Sequence, residues 1–233
     1  MVTIGLPVYN GEKWLREALE SIVAQDFLDW ELIVTIDDEG IGIKDYGLEI
    51  RDERIRVVAD GEHKGISARI NQQVEMARGE YFARMDADDV MLPERLSVQV
   101  KYMEEHPEVD VVSSSAIIID ERGEKIGMRS EGIIHPSVMG RTTWFREHPY
   151  RSECDGCEDW DLWLRTRENS VFGFIKEPLI LYRQPEKVDR KKYLLRRRQG
   201  RVAIRMNRDI LPAWRYYGLL IDSYAKSVYR MIF

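Results

Sequence analysis

Three carboxylates within four residues, Asp86, Asp88 and Asp89, are the part of the sequence best suited to chemistry. They follow residues 81–85, a mostly apolar run that predicts a buried strand ending in negative charge. An open α/β sheet binds its ligand at the carboxyl ends of its strands. Because like charges this close repel one another, a divalent cation would stabilise them, and its usual partner is a phosphate. The pattern indicates a metal site; a solvated acidic turn before the next helix is the alternative.

A second acidic pair, Asp37 and Asp38, follows the predicted strand 31–36. Parallel strands in this order would bring both groups of carboxylates to one edge of a sheet. The pair can accept hydrogen bonds from a base imide or from ribose hydroxyls, while Asp86 and Asp88 can hold Mg²⁺ or Mn²⁺ across a diphosphate. An Asx turn is the alternative for the pair taken alone.

The spacing of apolar residues places these carboxylates in a β-α-β framework. It predicts an α/β fold with a Rossmann-like, mostly parallel sheet flanked by helices, and a C-terminal helical tail with a break at Pro212. The predicted strands are 2–6, 31–36, 55–59, 81–85, 109–119, a segment within 137–145, and 172–182. The predicted helices are 12–25, 66–78, 92–105, 158–167 and those of the tail from residue 189.

Charge is distributed unevenly along the 233 residues. The formal net charge is −6, yet residues 187–233 carry 13 Lys and Arg against 3 Asp and Glu. The preceding residues are acidic, with a net charge of −16. Apolar and aromatic residues recur at helical spacing in the tail, which is typical of a helix on an anionic membrane surface. Packing of that face on the body or in a homodimer is the alternative.

The two cysteines, Cys154 and Cys157, are too few for a disulfide-rich secreted scaffold. A structural zinc site needs about four ligands, and only His135 and His148 lie near the pair in sequence. Free thiols are therefore favoured, with a local disulfide as the alternative.

The hydropathy pattern bears on location. No apolar run reaches the about 18 residues that a membrane span requires. A strand pattern begins at Val2 and leaves no room for a signal peptide. We therefore expect a cytoplasmic protein, which lies on the inner face of the cell membrane if the tail binds lipid.

Taken together and in order, these motifs resemble those of the inverting family 2 glycosyltransferases, which have the GT-A fold. The resemblance covers residues 2 to about 184. The matching segments are 7–10, 37–38, 63–67 with Asn71, 77–81, 86–89 with 93–95, 135–136, 158–160 and 182–183.

The resemblance implies a nucleotide site at the strand ends. The implied nucleotide-binding residues are Pro7, Val8, Tyr9, Asp37, Asp38, Lys64, Gly65 and Asp86. Among them Asp38 would contact the base, and Asp86 would lie near the ribose and the metal-bound waters. Asp88, assisted by Asp86, would bind the divalent metal, Mg²⁺ or Mn²⁺.

The resemblance also implies a general base, Asp159 or, as second choice, Glu158. An inverting transfer needs a carboxylate on the face opposite the leaving diphosphate. Negative charge at a helix N-terminus is the alternative role of this pair, and the helix dipole would lower its basicity. His135, Trp160 and Arg183 are implied on the acceptor side.

We therefore expect a GT-A-like catalytic domain at residues 1–184, with a nucleotide-binding half at 1–107 and an acceptor half at 108–184. Residues 185–233 would form a basic amphipathic helical tail. The expected donor is a nucleotide-diphosphate sugar, with UDP favoured. The expected acceptor is a sugar or lipid-linked hydroxyl in polysaccharide or glycolipid synthesis.

Two other functions compete with this interpretation. A nucleotidyltransferase would carry a Gly-rich, basic phosphate loop after its first strand, and residues 7–11 lack one. A nucleic-acid-binding module could use the basic tail, but the acidic body and the absence of a known binding motif argue against nucleic acid as a partner.

Overall fold

The computed structural model describes residues 1–11, 13–40, 52–184 and 190–232. Within these ranges, nine strands form one sheet. The strands are β1 Val2–Val8, β2 Trp30–Ile36, β3 Ile55–Val58, β4 Tyr81–Arg84, β5 Val90–Met91, β6 Val111–Ile119, β7 Lys125–Arg129, β8 Met139–Arg141 and β9 Phe172–Arg183. The helices are α1 Leu15–Val23, α2 Ile66–Met76, α3 Arg95–Glu105, α4 Thr142–Glu147, α5 Glu158–Thr166, α6 Arg190–Met206 and α7 Ala213–Ile232.

The N-terminal half of the sheet is parallel, in the order β3-β2-β1-β4. Every residue of β2 and all but Pro7 of β1 are buried, as expected for parallel strands covered on both faces. Because β2 and β4 both run parallel to β1, Asp37 and Asp86 leave the sheet at the same edge. The α/β fold and the shared edge predicted from the sequence are confirmed.

The C-terminal half makes the sheet mixed. Strand β8 runs antiparallel between β4 and β6, β9 runs parallel to β6, and the short β5 runs antiparallel to β9. The segment predicted as a strand within 137–145 contains only the three residues of β8, after which the chain turns into α4. A short apolar run fits a strand and a buried helix equally well, so periodicity could not separate the two.

The apolar core lies on both faces of the sheet. On one face, Leu15 and Ile22 of α1 and Leu96 of α3 belong to one core cluster with buried residues of β1 and β2. On the other face α2 and α4 pack through Ile70 and Phe145. The sheet therefore lies between two layers of helices.

The tail packs on the body instead of standing apart from it. Helix α6 contacts α5 and the 3-10 turn Ser152–Cys154, and Ala203 is buried against Cys154 and Cys157. The Asn207 side-chain amide donates a hydrogen bond of 2.6 Å to the buried Asp161 carboxylate. Both cysteines carry free thiols, as predicted. The domain division at residue 184 stays a prediction, because α6 shares a core with the body.

Helix α7 packs along α6 and presents an apolar stripe outward. The break between the two helices falls at Pro212, as predicted. Trp214 is 78% exposed and Ile221 69% exposed, with Tyr217 and Tyr224 on the same side of the helix. Within the described ranges, no helix combines the length and the hydropathy needed to cross a bilayer.

Candidate active site

A cavity of about 620 Å³ lies at the carboxyl edge of the sheet. One wall comes from the body and contains carboxylates from two elements, Asp86 after β4 and Glu158 and Asp159 at the start of α5. The opposite wall comes from the tail, through Arg196 and Arg197 of α6 among others. The predicted base and one predicted metal-site residue therefore line the same cavity.

The acidic cluster contains one residue more than the predicted metal pair. Asp86, Asp88 and Asp89 each offer an oxygen within 4.8 Å of the others. Burial, with the charge of Asp86, raises the pKa of Asp88 to about 6 and holds the pKa of Asp89 well above its usual range. The buried Asp89 Oδ2 has no hydrogen-bond partner among the described residues. Hard oxygen donors that repel one another fit Mg²⁺ or Mn²⁺.

A fully buried cation, Arg84, lies behind this cluster and was not predicted. Its guanidinium donates to Asp86 Oδ1 and to the Met85 carbonyl oxygen. Its positive charge lowers the pKa of Asp88, and also those of Glu158 and Asp159, against the larger opposing effect of burial. The sequence does contain a signal for this residue, because an arginine within an apolar strand is expected to be buried, and a buried charge requires a partner of opposite charge.

The two candidate bases differ in burial and in hydrogen bonding. Glu158 is 7% exposed, and its Oε2 accepts from the Gly156 N–H at 2.7 Å. Burial raises the pKa of Glu158 to about 7. Asp159 is half-buried, and its Oδ1 accepts from the Trp160 N–H at 2.7 Å. Burial also raises the pKa of Asp159, although the Trp160 N–H opposes it. Desolvation therefore outweighs the backbone hydrogen bonds that these carboxylates accept near the start of α5.

Two of the three predicted acceptor-side residues line the cavity. Trp160 lines it directly, and so does His135, whose Nε2 lies 3.0 Å from the Tyr150 hydroxyl. Burial, together with the charge of Arg84, lowers the pKa of His135 well below its usual value, so the ring is neutral. The His135 Nδ1 lies 3.8 Å from Glu158 Oε1.

Arg183 is elsewhere, behind the acidic cluster. Its guanidinium donates to the Asp88 carbonyl at 2.8 Å, the Asp120 carbonyl at 3.0 Å and the Glu17 carboxylate at 2.6 Å. Arg183 is not among the residues that line the cavity, and its guanidinium holds the backbone of the acidic loop, so its acceptor role stays a prediction. Its neighbour Tyr182 lines the cavity instead.

The predicted nucleotide-binding residues of the first two strands lie on the same edge but outside the cavity. Asp38 accepts the Asn10 N–H at 3.2 Å and so joins the β1 and β2 loops. Tyr9 is 60% exposed, and its ring lies 4.9 Å from that of His63. Pro7 and Val8 end β1 beneath Tyr9, and Val8 is fully buried.

Asp37 and Lys64 are occupied by contacts within the protein. Asp37 forms an ion pair of 2.8 Å with the fully buried Arg69 and accepts the N–H groups of Lys64 and Gly65. The Lys64 ammonium pairs with Asp60 at 2.6 Å. These contacts hold the loop before α2, and nucleotide contact by Asp37 and Lys64 stays a prediction. Gly65, at a φ of +86°, lets this loop turn into the helix.

Comparison with known proteins identifies relatives of this chain. A model of the family described as "Glycosyl transferase family 2" matches residues 3–174. An uncharacterised glycosyltransferase of Methanocaldococcus jannaschii is 33% identical over 84% of this chain and 74% of its own length. The putative glycosyltransferase EpsE of Bacillus subtilis is 33% identical over 78% of this chain and 73% of its own length.

Solved structures show the same fold. The crystal structure of residues 1–349 of S. aureus TarS in complex with UDP-GlcNAc superposes with a TM-score of 0.67 at 18% identity. The match covers 98% of this chain and 72% of that one. At this identity the likeness supports the fold, and it includes most of the tail.

The raised pKa of Glu158 makes a prediction about stability. The folded protein keeps the proton up to a pH of about 7, whereas the unfolded chain loses it near 4.5. Folding stability should therefore fall as the pH rises from 4.5 to 7, by up to about 3 kcal/mol from this group. In Glu158→Gln that loss should be absent, which urea unfolding in metal-free buffer at pH 4.5 and 8 measures.

The exposed Glu153, in the adjacent turn, provides the matched control. Glu153→Gln should show the same pH dependence as the wild type, since its carboxylate is solvated. If Glu158→Gln keeps the wild-type dependence of unfolding free energy on pH, the pKa of Glu158 is not raised in the folded protein.

Proposed function

This chain belongs to glycosyltransferase family 2, and we propose that it is a metal-dependent, inverting enzyme that transfers a hexosyl group from a nucleotide-diphosphate sugar to an acceptor hydroxyl. The observation that carries the proposal is that Asp86, a member of the acidic cluster, and Asp159 line one cavity. A transfer with inversion needs these two groups on opposite sides of the reacting carbon. Synthesis of a polysaccharide or glycolipid is the process that such a reaction would serve.

The donor site would extend along the sheet edge from the β1 and β2 loops to the acidic cluster. Tyr9 offers an exposed aromatic face for the base, and Asp38 is held against Asn10 by its backbone contact. A UDP-sugar is the favoured donor, which agrees with the UDP-GlcNAc bound by the fold relative TarS.

The metal would be held by Asp88 and Asp89, with Asp86 beside them. When bound, a divalent ion supplies positive charge that stabilises the leaving diphosphate. The protein's own part is to fix these carboxylates: Arg183 holds the Asp88 carbonyl and donates its N–H to Asp89 Oδ1 at 2.8 Å. Arg84 holds Asp86.

Asp159 is the better of the two candidate bases. It would accept the proton of the acceptor hydroxyl while that oxygen attacks the anomeric carbon and the bond to the diphosphate breaks on the opposite face. Its burial raises its pKa, which favours proton uptake, yet it is less buried than Glu158. Glu158, hydrogen-bonded to Gly156 and close to His135, is better placed to orient the loop that carries the base.

The tail would bring this site to an anionic membrane surface, where a lipid-linked acceptor resides. The α7 stripe of Trp214, Tyr217, Ile221 and Tyr224 has the mixture of aromatic and aliphatic side chains that partitions into the headgroup region. The net positive charge of the tail adds attraction to anionic lipid. The enzyme would then work at the cytoplasmic face; a homodimer built on the same stripe is the competing arrangement.

Metal dependence is tested by titrating UDP with Mn²⁺ and then with EDTA. We expect removal of the metal to weaken UDP binding about tenfold or more, because the ion offsets several kcal/mol of charge repulsion. Asp88→Asn should bind UDP equally weakly in both conditions, whereas Glu94→Gln, an exposed acid just beyond the cluster, should behave as the wild type. Equal affinity of the wild type with and without metal would exclude the metal role.

The base is tested by Asp159→Asn. Transfer or donor hydrolysis, scored with a panel of nucleotide sugars, should fall by about 10²- to 10⁴-fold, because proton removal from the nucleophile is lost. UDP affinity should remain unchanged, since the base acts on the acceptor. Asp209→Asn, an exposed aspartate of the tail, is the control. Turnover near the wild-type value in Asp159→Asn would move the role to Glu158.

Membrane binding is tested by cosedimentation with anionic vesicles at low and high salt. Point variants are preferable to truncation, because α6 shares a core with the body. Trp214→Ser with Ile221→Ser should abolish a salt-sensitive association, while Leu28→Ser, which changes an exposed leucine of the body, should not. Unchanged vesicle binding together with dissociation of a dimer in sedimentation velocity would assign the stripe to self-association.

A further inference from the structure

Helix α6 turns one face towards the cavity. The residues on that face recur at the helical spacing of three and four, and they end in Ile204 near the body core. They are Tyr193, Arg196, Arg197, Gly200 and Ile204. The cavity therefore has a wall with two guanidinium groups at the end farther from the core.

The basic residues of α6 divide into two groups by their contacts. Arg201 donates to the hydroxyls of Ser223 and Ser227, and Arg205 donates to the Tyr224 hydroxyl. These arginines bind α7 and hold the helical pair together. The guanidinium groups of the arginines that face the cavity, Arg196 and Arg197, make none of these contacts with α7 among the described residues.

The cavity-facing arginines are not neutralised by the tail itself. Arg197 donates through Nε to the Tyr193 hydroxyl at 3.2 Å, a neutral partner. Within the part of the chain that the structure describes, Arg196 makes no ion pair. Asp222 of α7 also lines the cavity, but no contact of salt-bridge length joins it to either arginine, while it pairs with Lys226 at 2.9 Å.

The electrostatics locate Arg196 on the side of the base. Arg196 lines the same cavity as Asp159 and Tyr182, and its positive charge lowers the pKa of both. On the body wall Asp86 is the one lining residue of the acidic cluster that would hold the donor's diphosphate, among the residues that the structure describes. Positive charge beside the base faces the acceptor, whereas the donor's diphosphate has its own site.

We propose that Arg196 and Arg197 form a subsite for a phosphate or diphosphate group carried by the acceptor, such as the one that links a sugar to a lipid. The inference rests on the proposed transfer reaction and adds the acceptor's chemical class. Guanidinium groups on adjacent helical positions can bind the oxygens of a phosphate by charge-assisted, bidentate hydrogen bonds. The half-buried, cavity-facing position of Arg197 makes such bonds stronger than on an open surface.

The test compares two matched probes, glucose 1-phosphate and glucose, titrated into protein saturated with UDP and Mn²⁺ so that the donor's phosphate site is filled. We expect the phosphate to improve affinity about tenfold or more. Arg196→Gln with Arg197→Gln should abolish this preference without changing the melting temperature. Arg198→Gln, an exposed neighbour that does not line the cavity, should retain it.

Each contrary result has a distinct meaning. Equal affinity for the two probes in the wild type overturns the subsite while UDP binding leaves the transferase proposal intact. A loss of UDP affinity in the double variant, with the preference unchanged, overturns the subsite and assigns the arginines to the donor's diphosphate. If the wild type fails to bind any nucleotide, the proposed function and the subsite fall together.

Discussion

The contact between the buried guanidinium of Arg84 and the surrounding carboxylates is the constraint on which the site depends. Arg84 ends a central strand, is inaccessible to solvent and holds Asp86 directly. Around it lie carboxylates from two different elements, and each of those carboxylates is stabilised by its charge. An apolar residue at position 84 would remove the one positive charge, among the described residues, that lowers the pKa of Asp88, Glu158 and Asp159 together. The sheet thus places a permanently charged guanidinium next to the carboxylates of the candidate site.

A second level of organisation surrounds that contact. Arg95, which is fully buried, donates to the Arg84 and Val138 carbonyls and so ties α3 and the turn before β8 to the end of β4. Burial lowers the pKa of Arg95 to about 9, which still leaves it charged at neutral pH. Arg69, which is also fully buried, forms an ion pair with the Asp37 carboxylate on the neighbouring loop. Buried arginines near the sheet edge therefore hold the acidic loops in place, and these loops carry the candidate site residues.

The sequence was informative wherever chemistry is local in the chain. The acidic loop after β4, the acidic start of α5 and seven of the nine strands follow from short patterns, whereas the short strands β5 and β7 were not predicted. Asp37 and Arg183 show the limit of such patterns, since a polar residue of a motif can face a ligand or a partner within the protein, and the motif does not reveal the partners that both side chains have here. Arg84 shows the converse: its role depends on carboxylates 74 and 75 positions further along the chain, at Glu158 and Asp159, a distance that no periodicity spans.

The origin of the two cavity walls has a consequence for biosynthesis of the protein. The sheet and the acidic loop come from residues translated first, whereas the arginine-bearing wall belongs to α6, beyond the end of the family match at residue 174. The strands of the sheet therefore leave the ribosome before α6 does, and until α6 docks the cavity lacks its arginine-bearing wall. The reacting groups are enclosed only after α6 and α7 have emerged and docked. In a partly synthesised chain these groups would be open to water.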